Sequence, residues 1–240
     1  MAKPDYFLLL DTETTQDQLV ADFGAIICNR KGEIMTQCAV MVLNVYNKSE
    51  EHPLFHLFGD DKDIWSKAGL PKRYAKYNDM LASGQRQYAS HHAINRWLEL
   101  ANGKYNPYLT AYNLPFDTDK CNNTNIDLTI FSKRFCLMAA AQEKWGTSKK
   151  YLEFILENHF FKAPTNLRNM SYMTKAETMA RFVVGNPEMP DEPHTALEDV
   201  IFYELPILTR LVKTTKKSIW SNPTASTWRN RQVKDHFKVK

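Results

Sequence analysis

The chain has little that would tie it to an oxidising compartment or a membrane. Its four cysteines, Cys28, Cys38, Cys121 and Cys136, are widely separated and form no C-x-x-C pair. Cys28 and Cys38 fall in segments that read as apolar strands, so reduced, buried thiols are expected, as in the cytoplasm. No uninterrupted apolar run approaches the length of a bilayer-spanning helix. No positively charged start followed by an apolar stretch opens the chain. The expectation is a soluble, unexported, cytoplasmic protein with no membrane partner. Internal repeats are absent, and no linker is evident before residue 213, so one domain with a tail is the simplest organisation.

What the chain does have is ample apolar content and an uneven charge. With 240 residues and 43% hydrophobic composition it can bury one large core. The formal net charge is only +4, but residues 213–240, KTTKKSIWSNPTASTWRNRQVKDHFKVK, hold eight Lys or Arg against one Asp. That is a net +7 for the tail and −3 for residues 1–212. A basic tail bearing Trp220 and Trp228 suits a polyanion, because phosphates attract the cations and indoles stack on bases. The same charge also suits a solubilising end.

Strand character is concentrated at the start. YFLLLDTET and VADFGAIICN read as two strands, and IMTQCAVMVLNV, after the turn residues RKGE, as a third paired with them in a hairpin. From about residue 47 to residue 90 the period is lost, which suggests an insertion of short helices and loops. SHHAINRWLELA carries a helical apolar face closed by Gly103. PYLTAYN resumes β character, FDTDKCNN begins another helix, and Arg134 to Leu137 reads as a strand entering a helix. KKYLEFILENHFF, TKAETMARFVVG and TALEDVIFYELPILTRLV are helical by pattern, the last kinked or divided by Pro206, which removes the bond to Phe202. Early antiparallel strands followed by alternating helix and strand imply an α/β fold with a mixed sheet flanked by helices.

The first strand ends in two acids. Alternation along a strand turns Asp11 and Glu13 to one side and Thr12 to the other. Two carboxylates held so close are costly unless a cation neutralises them or one takes up a proton. A strand that stops at Leu10, leaving both acids in a solvated loop, would remove the cost, and the pair alone does not choose. Further on, Asp117 follows a predicted strand in AYNLPFDTDK, and EPHTALEDV places His194 and Asp199 at the start of a late helix.

Taken in order, DTETT, AYNLPFD and HTALED resemble the three exonuclease motifs of the DEDDh group of the DnaQ-like 3′-5′ exonuclease superfamily. The resemblance follows the order of elements over most of residues 5–212, with residue-level matching confined to the motifs. It implies a ribonuclease H-like fold in an exonuclease domain spanning residues 1–212. It also implies two divalent ions, Mg²⁺ with Mn²⁺ as substitute, roughly 4 Å apart. By the same resemblance Asp11, Glu13 and Asp199 would ligate the ion holding the attacking water. Asp11 would bridge to a second ion supported by Asp117, and His194 would act as general base. The substrate implied is a 3′ end of single-stranded or frayed DNA, shortened to nucleoside 5′-monophosphates. RNA ends are the alternative within the enzyme class, and a non-catalytic nucleic-acid-binding or polymerase-associated module the alternative outside it. Thr12, Thr14, Asn113 and Phe116 are expected at the substrate.

Two features test the fit. On a continuous helix five residues turn about 140°, so Glu198, four after His194, would share its face better than Asp199. A His on the loop before the helix removes that objection, and Pro190 and Pro193 make such an approach natural, leaving Glu198 solvated. After DTETT the family often carries Gly and an apolar wedge, where this chain has Gln16 and Asp17. Of the aromatics in the insertion, Trp65, Tyr74 and Tyr77 suit either stacking on bases or the core. His91 and His92 are adjacent and diverge by about 100° on a helix, which excludes joint chelation. His52, His56, His159 and His236 lack any metal-like pattern.

Overall fold

The computed structural model describes residues 5–57, 65–146, 148–162 and 171–223. β1 (Tyr6–Thr14), β2 (Val20–Asn29) and β3 (Ile34–Val42) form an antiparallel meander. α1 (Leu70–Ala82) lies in the insertion, and β4 (Gln87–Ala89) returns parallel to β3. α2 (His91–Tyr105) then leads to β5 (Tyr108–Thr110), parallel to β1, so the sheet has the order β4-β3-β2-β1-β5. α3 (Leu114–Asn123), α4 (Leu137–Ala141) and α5 (Lys149–Glu157) follow. A two-stranded ribbon, β6 (Phe161–Lys162) with β7 (Ser171–Tyr172), precedes α6 (Ala176–Val184). The chain ends its described part with α7 (Ala196–Asp199), a π turn (Val200–Glu204), α8 (Leu205–Thr214) and α9 (Lys217–Trp220). This is an α/β architecture with a mixed five-stranded sheet flanked by helices.

Helices cover both faces of the sheet, which is why β1 is an unbroken apolar run. Phe7 and Leu9 pack with residues of α4 to α9, whereas Leu8 and Leu10 pack with α1, α2 and α3. The alternation therefore carries Asp11 and Glu13 onto the α7 side of the sheet.

Several local expectations shift. The third strand stops at Val42, and α2 runs past Gly103 to Tyr105, closing on Asn106 in a left-handed conformation (φ 46°). Phe160 and Phe161 lie beyond α5, Phe161 in β6. Residues 133–137 do follow β5, through Leu109 N–H to Lys133 O and Phe135 N–H to Leu109 O, but only Arg134 forms a bridge. Pro206 does divide the late helix, and Val200–Glu204 just ahead of α8 take the wider π turn.

The boundary at residue 213 also moves. α8 crosses it, and Trp220, read as an exposed indole, is fully buried. Its ring meets Phe7, Tyr108 and Phe135 with centroids 5.2–5.4 Å away, because the turn between α8 and α9 folds it back beside β1. Residues 224–240, with Trp228 and His236, lie outside the described part, as do residues 58–64 of the insertion.

Candidate metal centre

The site begins at the end of β1, where a register shift after Glu13 marks a bulge. Gly24 pairs with Asp11 across β2. A Cβ there would fall 2.2 Å from Leu197 N, so only glycine lets the α7 backbone lie directly on β2. Ala196 N–H then donates to Asp22 Oδ2 at 2.9 Å, and Asp22 stands opposite Glu13 in the sheet. Arg86 binds Asp22 (2.9 Å) and Glu198 (2.6 Å) together. Glu198 is therefore only partly solvated, its side chain 26% exposed: buried Arg86 engages it, and it does not line the cleft. This clamp brings the His194–Asp199 segment over the acids of β1.

His194 precedes the helix in a left-handed conformation (φ 52°). Tyr77 OH donates to its carbonyl (3.2 Å) and Lys76 Nζ to that of Pro193 (2.8 Å). Tyr203 OH donates to the carbonyls of Pro190 and Asp191, fastening the approach. His194 Nδ1 lies 4.0 Å from Glu13 Oε1. Glu13, His194 and Asp199 each offer one ligand atom, all within 4.8 Å of one another, a spacing that fits a metal ion. Asp199 Oδ2 accepts from Thr195 N–H (2.9 Å), while Oδ1 is buried and has no hydrogen-bond partner among the described residues. An orphaned anionic oxygen is what a bound cation would satisfy.

Asp117 arrives from the other side. β5 pairs with β1 only as far as Leu9, leaving the edge beyond it open to the first turn of α3. There Thr12 Oγ1 donates to Asp117 Oδ1 at 2.9 Å. Thr12 and Thr14 are both buried, and the Thr12 hydroxyl supports Asp117. Asn113 and exposed Phe116 line the cleft, a space of about 360 Å³ shared by Asp11, Glu13, Asp117, His194 and Asp199.

Three lining or supporting residues were not legible in the sequence, Glu192, Glu204 and Arg73, while Trp65, left open between stacking and the core, lines the cleft. Glu192 and Glu204 add two carboxyls to the cleft, and Trp65 walls it, its ring 4.3 Å from that of His194. Arg73 of α1 pairs with Glu13 (3.0 Å) and lies 4.6 Å from the Trp65 ring. Tyr77 is core, and Tyr74 OH accepts from Leu54 N–H, so neither is a free stacking surface. Pro206 is the one signal that pointed towards Glu204, since it forces the turn in which Glu204 sits.

Crowded burial makes the acids hard to ionise. Burial raises Glu13 to about 7 despite Arg73. It lifts Asp117 to about 7 against hydrogen bonds from Thr12. Burial and the neighbouring Glu192 and Glu13 lift Asp199 to about 9. Burial followed by repulsion raises Glu192 to about 8 and carries Asp11 and Glu204 well above the carboxylate range. Six carboxyls in one cleft ionise together near neutral pH only at a cost that bound cations would offset.

No known family, curated protein or solved structure matches the chain. Among the described residues no helix is long and apolar enough to cross a membrane.

Proposed function

We propose that the chain is a metal-dependent 3′-5′ exonuclease of the DnaQ-like DEDDh kind, with a ribonuclease H-like fold. One observation carries the reading: three motifs separated by about a hundred and eighty residues of chain meet in a single cleft. There Asp11, Glu13, Asp117, His194 and Asp199 surround one space.

Glu13, Asp199 and Asp11 would hold one divalent ion and Asp11 with Asp117 a second, Mg²⁺ or Mn²⁺ being suited to such oxygen donors. When bound, the ions supply a water acidified to near-neutral pKa and charge stabilisation at the departing 3′ oxygen. His194, on the loop beside Glu13, would take the water's proton as general base. Its left-handed backbone and the Tyr77 bond fix the ring over the cleft. Trp65 and Phe116 offer aromatic walls to a terminal nucleotide. All five motif residues are retained, which favours an active enzyme over a binding module. DNA is the substrate proposed, RNA ends the second reading, and a polymerase acting with it in trans a further partner.

The test is a time course on matched 5′-labelled single-stranded DNA and RNA, in Mg²⁺ and in EDTA, with Asp11→Ala as control. Stepwise shortening that needs metal and Asp11 supports the reading, and the faster substrate chooses DNA or RNA. Absence of metal-dependent shortening of both would overturn it.

A further inference from the structure

Glu204 belongs to none of the three motifs, yet it reaches the same cleft. It closes the π turn Val200–Glu204, in which Leu205 N–H bonds to Val200 O, five residues back. The cause is Pro206, which has no N–H and whose ring would strike the carbonyl four residues earlier, so the turn before it widens. On an α-helix Glu204 would stand about 140° from Asp199. In the wider turn residues five apart come nearly into line, and both side chains line the cleft.

A lysine also lines the cleft, but Lys175 Nζ pairs with Glu177 at 3.5 Å. Glu204 Oε1 accepts from Tyr112 N–H at 3.3 Å. Its Oε2 is buried without a hydrogen-bond partner among the described residues, on a residue only 3% exposed. Arg73 is engaged with Glu13, and Arg86 with Asp22 and Glu198. Among the described residues no ion pair reaches Glu204. A buried carboxyl oxygen with no donor is unfavourable unless something else meets it.

Resting on the nuclease reading of the cleft, we propose that Glu204 is a further carboxylate of the divalent-cation site. It shares the cleft with Asp11 and Asp117 and would support an ion held there directly or through one water. Pro206 would then be the structural device that aims it.

Glu204→Gln keeps the shape and the acceptor for Tyr112 N–H while removing the charge. Mn²⁺ titration by calorimetry, with the Mn²⁺-induced rise in Tm as a second readout, requires no turnover. Glu204→Gln should melt at or above the wild-type temperature without metal, bind Mn²⁺ roughly tenfold or more weakly, and show a smaller Tm rise. Glu204→Asp retains the charge on a shorter arm and should fall between, and it carries the test if the glutamine variant does not fold. Wild-type Mn²⁺ binding in both variants would overturn the assignment of Glu204 alone, provided the wild type binds Mn²⁺ and cleaves. A wild type that takes up no Mn²⁺ would overturn this assignment and the nuclease reading together.

Discussion

Arg73 Nη2 lies 3.0 Å from Glu13 Oε2, so α1, from the segment least legible in the sequence, supplies the counter-charge to an acid on β1. Its other terminal nitrogen donates to Phe55 O, and its guanidinium underlies the Trp65 ring. Arg73→Ala leaves Glu13 buried without that partner. Breaking such a pair costs about 3–5 kcal/mol. Denaturant melts in EDTA should show a loss of this order, and Mn²⁺ should restore part of it by neutralising Glu13. An unchanged midpoint in EDTA would show that the pair contributes nothing.

His194→Ala should lower the cleavage rate by roughly 10² to 10⁴, the usual contribution of a general base. Mn²⁺ binding should weaken much less than in Asp11→Ala, which should abolish cleavage. Single-turnover rates and calorimetry on the same preparations separate the two roles. Full activity in Asp11→Ala would remove the basis of the assignment.

Without metal the protein should be less stable in alkali than in mild acid. Glu13, Asp117 and Asp199 are raised by burial to about 7, 7 and 9, so the folded state binds protons that the unfolded state releases near pH 4. Their favourable contribution is complete below pH 4 and is lost as pH climbs through the folded values, between about 4 and 9. Bound cations favour the ionised forms, so stabilisation by Mg²⁺ should grow over the same window. Tm measured from pH 5 to 9, in EDTA and in Mg²⁺, checks both slopes. A rise of the EDTA Tm across that range would contradict the burial argument.

Trp220→Ala should destabilise the fold by about 3–5 kcal/mol, since the indole is fully buried among Phe7, Tyr108 and Phe135. Truncation from residue 213 should fail for the same reason. Truncation after Pro223 removes five Lys or Arg and one Asp, a net +4, without touching that cluster. It should leave the melting curve in place, weaken binding to single-stranded nucleic acid and flatten its salt dependence. Unchanged affinity and slope would show that residues 224–240 are not a nucleic-acid arm.

Legibility followed sequence separation. β1 and β2 were readable to the residue because each is an apolar run bounded by polar turns, and the hairpin that pairs β2 with β3 is local. The π turn was half legible: Pro206 announced an interruption but not which side chain it would redirect. Glu198 and Trp220 were misjudged because their partners lie far off in the chain, Arg86 112 residues from Glu198 and Phe7 beside Trp220.

By itself the sequence determined the alternation that turns Asp11 and Glu13 to one side and the order of the acids, while the loop position of His194 came from the family resemblance, with Pro190 and Pro193 suited to it. Only the tertiary structure decided the electrostatics of the site. Arg73 reaches Glu13 across 60 residues, Arg86 reaches Asp22 across 64, and Glu204 enters no ion pair among the described residues. Whether a buried carboxyl keeps its charge depends on what is packed within a few ångströms of it, and that neighbourhood exists only once the sheet and its two helical layers have closed.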